Sequence, residues 1–196
     1  VTWVDGKIGG AAKFDGKGAH IQLPNTDALD RAQEGSFTVA AWFKPEDVPP
    51  GKESDNNESY GIIMKGGWHT GLQYNSEQKF VMTHWLAGAA EPEWKGIGTW
   101  DDTYAPGQWY HVAGTVDRAA GKVAIYVNGE PKGEVDFPAN SKSRDYEKMP
   151  WRIGVGMPGA EKWGWPAKGS IDDVRIYGTA LTPDEVKGIF DGGAKK

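Results

Sequence analysis

Along most of the chain, apolar and polar residues alternate with the two-residue period of a β-strand, in short runs broken by glycine, proline and polar clusters. The alternation predicts strands at Ala11 to Asp15, Ala19 to Leu23, Tyr60 to Lys65, Gly71 to Asn75 and Lys79 to Leu86. Gly16-Lys17-Gly18 reads as a hairpin turn between the first two. Phe37 to Lys44 is apolar on both sides, with Phe37, Val39, Ala41 and Phe43 on one face and Thr38, Ala40 and Trp42 on the other. That is the pattern of a central strand covered twice. Further strands are expected at Gln108 to Asp117, Lys122 to Asn128, Glu130 to Phe137 and Trp151 to Gly156, with Asn128-Gly129 as a two-residue hairpin turn. Stretches without apolar period separate them: Pro45 to Ser59, Ala87 to Gly107, Pro138 to Pro150 and Met157 to Pro166.

Lys168 to Tyr177 is the strand on which the rest is organised. Regular alternation puts Ser170, Asp172, Val174 and Ile176 on one face and Ile171, Asp173, Arg175 and Tyr177 on the other. Val174 and Ile176 are core-type residues, so Asp172 is expected to begin on the core side. A carboxylate there needs hydrogen bonds, a cation or a metal. Asp173 and Arg175 can satisfy each other. Asn25 to Ala32 suits a helical turn, and Thr182-Pro183-Asp184-Glu185 carries the signals of a short helix start: a threonine cap, proline in the first turn and acids at the positive dipole end. Strands at this spacing with one late helix predict an all-β sandwich, a single domain over 1–196 without internal repeat.

Composition narrows the function. With Gly 28 and Trp 10 in 196 residues, the chain is rich in turns and in large aromatic surface. There is no cysteine, which removes disulfides and thiolate metal sites. A formal net charge of -5 argues against nucleic acid and anionic membrane as partners. No run approaches the roughly 18 apolar residues of a membrane span, so membrane insertion is not expected. The chain opens on Val1-Thr2-Trp3 without a charged-then-apolar leader, and is read as a domain excised or processed out of a larger protein.

Glycoside cleavage needs two acids a few ångströms apart on one face. Glu53-Ser54-Asp55 lies in a polar loop that would not hold such geometry, and Pro92 disfavours a central strand at Glu91-Pro92-Glu93. The four histidines make no metal-type pair at close spacing, and no serine sits in a nucleophile elbow, so no catalytic residue is assigned. His111 falls inside a strand and reads as a hydrogen-bonded structural residue. His69 and His84 adjoin Trp68 and Trp85 and suit surface recognition. Trp42, Trp109 and Trp151 sit in strand patterns and read as core.

Trp68, Trp85, Trp94, Trp100, Trp163 and Trp165 fall in or beside loops, where several exposed indoles are unfavourable unless a partner covers them. Sugars are suitable partners, because their C–H faces stack on aromatic rings while polar groups bind their hydroxyls. A shallow groove is therefore expected, with Trp68, Trp85, Trp94, Trp100 and Trp163 as aromatic residues and Lys65, His69 and Gln73 as polar ones. Carboxylates and carbonyls in glycine-rich turns fit calcium better than a transition metal.

The chain resembles a laminin-G-like jelly-roll domain of the bacterial concanavalin A-like lectin/glucanase superfamily. The resemblance rests on Gly6-Lys7-Ile8-Gly9-Gly10-Ala11-Ala12-Lys13-Phe14-Asp15-Gly16, Ser36 to Pro45, Gln108 to Thr115, Val123 to Glu130, and Gly169-Ser170-Ile171-Asp172-Asp173-Val174-Arg175-Ile176-Tyr177 followed by Ala180-Leu181-Thr182. It implies a jelly-roll β-sandwich of two antiparallel sheets with a short C-terminal helix. It also implies a structural calcium, held partly by the first aspartate of the Ile-Asp-Asp segment, here Asp172, with Asp15 as a second contributor. The tight acid motif of the superfamily's hydrolases and the strand motifs of its alginate lyases are absent. The expected function is a non-catalytic carbohydrate-binding module, secreted or at the cell surface, that directs an attached enzyme or surface protein to a polysaccharide. The alternatives are a protein-interaction or adhesion module, and a glycan hydrolase or lyase with unrecognised acids. Because such folds host many functions, the fold does not name a ligand.

Overall fold

The doubly apolar pattern near residue 40 becomes β4 (Phe37–Pro45), buried on both sides at the centre of a seven-stranded antiparallel sheet. The computed structural model describes residues 1–51, 58–66, 69–87, 94–144, 149–158 and 164–194. Beside β4 run β13 (Lys168–Tyr177), β2 (Gly10–Asp15) and the edge strand β1 (Thr2–Asp5); on its other side run β9 (Tyr110–Asp117), β10 (Lys122–Val127) and β11 (Glu130–Asp136). The second sheet has six strands in the order β3 (Ile21–Gln22), β12 (Arg152–Ile153), β5 (Ser59–Lys65), β6 (Thr70–Asn75), β7 (Phe80–Trp85) and β8 (Trp94–Gly98). Every ladder is antiparallel. This is the jelly-roll-like sandwich expected.

Phe37, Val39, Ala41 and Phe43 of β4 meet Leu72, Tyr74, Phe80 and Met82 of the facing sheet in the core, with Trp151 fully buried at one end. The other face of β4 lies under α2 (Pro183–Ala194), whose Val186 packs on Ala40, Ala113 and Tyr126. Trp42 is buried on this outer side, its ring near Phe190 of α2 and His111. Thr182 and Glu185 form a reciprocal capping box: Glu185 Oε2 accepts from the Thr182 amide at 2.8 Å, and Thr182 Oγ1 accepts from the Glu185 amide at 3.4 Å. Asn128 and Gly129 both have positive φ (52° and 80°), as a type I′ turn between β10 and β11 requires.

Several expectations are corrected. Ala11 to Asp15 and Ala19 to Leu23 do not form a hairpin, because Gly16 to Gly18 carries the chain from β2 in one sheet to β3 in the other. The strand β13 is not regular. Its register against β4 slips between Asp172 and Arg175, and Asp173 takes a left-handed φ of 47°. Such a bulge adds one residue and reverses the facing of the residues after it. Ile171, Val174 and Ile176 therefore all belong to the core cluster, while Asp172 pairs with Trp42 on the outer face. Asp172 is not in the core. Asp173 and Arg175 do satisfy each other, with guanidinium nitrogens 2.9–3.0 Å from the carboxylate.

Candidate ligand-binding groove

The groove follows from the alternation of β6 and β7. Leu72, Tyr74, Phe80, Met82 and His84 point inward, which leaves Gln73, Asn75, Val81, Thr83 and Trp85 on the outer face of the six-stranded sheet. Register places Gln73 opposite Val81, Thr83 opposite Gly96 and Trp85 opposite Trp94. With Ser59 of β5, Trp100 and Trp165 these residues line an open groove of about 510 Å³, and Glu58, Ser76 and Glu77 complete its rim.

Its aromatic platforms lie on glycines. A Cβ at position 96 would come 2.5 Å from Cζ3 of Trp94, and one at position 98 would come 2.5 Å from Cη2 and Cζ3 of Trp100. Any larger residue would lift either ring off β8. Trp94 and Trp100 are nevertheless 47% and 54% exposed, so each indole also meets solvent. Lys79 secures the loop that bears Trp100, donating to the carbonyls of Trp100 (2.8 Å) and Asp102 (2.7 Å). Asn75 Oδ1 shapes the turn before it by accepting from the amides of Glu77 and Lys79.

Trp85 forms a wall. His69 meets it edge-on at 4.7 Å between ring centroids, and the Arg144 guanidinium lies 5.4 Å from its centroid. His69 Nδ1 also contacts the Gly66 carbonyl.

Across the groove, the chain after β12 passes over Gly61, where a Cβ would come 2.7 Å from the backbone of Val155. Trp165 sits in this crossing with a left-handed φ of 45°, a rare backbone for a bulky side chain. Its carbonyl accepts from the Gly61 amide at 2.9 Å, beside Gln73 in the register of β5 and β6. Two polar atoms of groove-lining residues are buried without a hydrogen-bond partner: Trp165 Nε1 and Gln73 Oε1. A buried orphan polar atom of this kind costs about 1–3 kcal/mol until something pairs with it.

Of the predicted site residues, Trp85, Trp94, Trp100 and Gln73 share this groove, with His69 against Trp85. Trp68 and Trp163 lie outside the described residues, as do Glu53, Asp55, Glu91 and Glu93. Lys65 does not belong to the groove. It is fully buried, and its ammonium donates to Asp30 (2.7 Å) and the Met149 carbonyl (3.1 Å). His84 is also withdrawn from surface recognition, because it shares the inward face of Phe80 and Met82. It packs on Phe37 and Phe137, and burial holds its pKa at about 3. His111 is buried as expected, but its Nδ1 has no partner; burial lowers its pKa to about 4. Trp109, read as core, is only half-buried and lines a smaller groove of about 360 Å³ on the outer face of the other sheet.

Asp172 and Asp15 do not converge on one ion. The ladder of β2 and β13 pairs Asp15 with Lys168, four residues from Asp172, a separation of roughly 13 Å along the strand. The Asp172 oxygens accept from the amides of Ile8 and Asp173, each at 2.7 Å. Among the described residues no group of three or more His, Asp or Glu side chains is placed to hold a metal.

Trp165, Ser59, Asn75 and Thr83 were not foreseen as site residues. The β-residues were legible in principle, since Asn75 shares its facing with Gln73, and Thr83 with Trp85. Trp165 stood out only as one of the loop indoles, because its place in the groove depends on a crossing between distant strands. No described helix is long and apolar enough to cross a membrane.

A family model described as the concanavalin A-like lectin/glucanases superfamily, of laminin-G type, matches residues 15–187. Among solved structures, domain 4 of AbnA, a GH43 extracellular arabinanase from Geobacillus stearothermophilus, in complex with arabinotriose, is 26% identical with a TM-score of 0.63, covering 96% of this chain and 80% of that one. The CBM40 of the Ruminococcus gnavus IT-sialidase, bound to α2,3-sialyllactose, shares the fold at 16% identity and a TM-score of 0.63, covering 92% of this chain and 96% of that one. Human usherin is 24% identical over 160 residues, 80% of this chain but 3% of its own length.

Proposed function

From the premise that this chain belongs to the concanavalin A-like lectin/glucanase superfamily, in its laminin-G branch, we propose that it is a carbohydrate-binding module whose ligand lies in the groove of the six-stranded sheet. The observation that carries this reading is one of chemistry. Two solvent-facing indoles, Trp94 and Trp100, line the same groove as Gln73 and Trp165, whose amide oxygen and indole N–H are buried without a hydrogen-bond partner. A sugar ring offers C–H faces to the first and hydroxyls to the second. A hydroxyl can accept from Nε1 of Trp165 and donate to Oε1 of Gln73. The arabinanase and sialidase domains, both solved with oligosaccharides, support the same class of ligand.

The module acts by binding and not by cleavage. It is secreted or displayed at the surface, where it holds an attached enzyme or surface protein on a polysaccharide. A second reading, a protein-interaction module, draws on the edge strand β1, where Trp3 is 74% exposed. The test is a glycan array followed by calorimetry on the retained oligosaccharide. Retention by the wild type, loss in Trp94→Ala/Trp100→Ala and no release of reducing ends or unsaturated sugars are expected. Retention of no glycan, or turnover, overturns the proposal.

A further inference from the structure

Building on the carbohydrate-binding reading, we infer that the groove takes uncharged glycans and turns away sialylated, sulfated and uronate-rich ones. Among the described residues that line it, the only ionisable side chains are two carboxylates, Glu58 and Glu77. No lysine, arginine or histidine is among them.

Three described cations outside the lining have other engagements. Lys79 donates to the carbonyls of Trp100 and Asp102, and Lys65 is buried on Asp30. Arg144 lies over the Trp85 ring and does not line the groove. Among the described lining residues an acidic sugar would therefore meet two like charges and no guanidinium or ammonium. Recognition of carboxylate and sulfate groups uses the opposite arrangement, a charge-assisted contact from a cation. A carboxylate is an acceptor only, so Glu58 and Glu77 suit neutral hydroxyls that donate to them. Because the groove is open to solvent, the repulsion is screened by salt.

The experiment is an array in which each neutral oligosaccharide is paired with sialylated, sulfated and uronic acid counterparts, read at low and high salt. At low salt the anionic members should bind at least about tenfold more weakly than their neutral partners. The gap should narrow at high salt and in Glu58→Gln/Glu77→Gln. Equal or tighter binding of the anionic members overturns this inference while leaving the carbohydrate-binding reading intact. A gap unchanged by salt and by the double variant overturns its electrostatic origin. Retention of no glycan at all overturns the functional reading, and this inference with it.

Discussion

Gly96 and Gly98 allow the indole platforms to be moved without removing an indole. An alanine Cβ at position 98 would stand 2.5 Å from two atoms of the Trp100 ring and 2.7 Å from a third; at position 96 it would stand 2.5 Å from Cζ3 of Trp94. Carbon atoms in contact sit at about 3.5 Å or more, so each ring must lift by about 1 Å. Both rings are half-exposed and can lift toward solvent, so the fold should hardly notice. Alanine also suits a strand no worse than glycine. The binding site should notice, because a displaced ring and the Gln73–Trp165 floor no longer fit one sugar together. If each indole stack contributes about 1 kcal/mol, one substitution weakens affinity about fivefold and the pair about thirtyfold. Calorimetry with the best oligosaccharide reads the affinity, and thermal unfolding should show Tm within about 3 °C of wild type. Wild-type affinity in Gly96→Ala/Gly98→Ala would refute the platform argument. A loss of several kcal/mol in stability would refute it from the other side, since the indoles would then be packing residues.

His84 and His111 are held neutral in the fold at pKa values of about 3 and about 4, below the usual 6.5. As pH falls below about 6.5 the unfolded chain takes up these protons first, so stability is full above that value and declines down to about pH 4 for His111 and about pH 3 for His84. At pH 5 the loss is about 2 kcal/mol per histidine, and a Tm unchanged between pH 7 and pH 5 would contradict it. Asp172→Asn turns one carboxylate oxygen, now accepting from a backbone amide at 2.7 Å, into an NH₂ group facing another donor. It should cost about 1–3 kcal/mol, equally in calcium and in chelator if the hydrogen bonds alone set its role; a calcium-dependent rise in Tm that this variant abolishes would place a metal at that position.

The sandwich was legible because its strands are apolar on one face, or on both in β4, and punctuated by turn residues, as in β9 and β10. Three features were not, each for a reason of register or tertiary contact. The bulge after Asp172 has no signature in an alternating stretch, yet it moved Asp172 from the expected core face to the outer one. The strand β8, Trp94–Gly98, contains two glycines that weaken any strand signal; the glycines are there because indoles lie on them. The burial of Lys65 depends on Asp30, thirty-five positions earlier, a distance no local pattern spans. The aromatic half of the groove could be read from indoles near strand ends. Its polar floor required the facing of β6 and β7 to be followed residue by residue.

The most direct test of the groove is an amide and indole NMR titration with the oligosaccharide that binds best. The indole N–H signals are few enough to assign by single substitution, since the chain has Trp 10. The signals of Trp94, Trp100 and Trp165 should move together, with the largest shift at Trp165 as its unpartnered N–H acquires an acceptor. Trp3 on the edge strand, Trp109 in the groove of the opposite sheet and Trp151 in the core should stay still. Movement of Trp3 or Trp109 while Trp94, Trp100 and Trp165 remain fixed would contradict the assignment of the ligand to this groove.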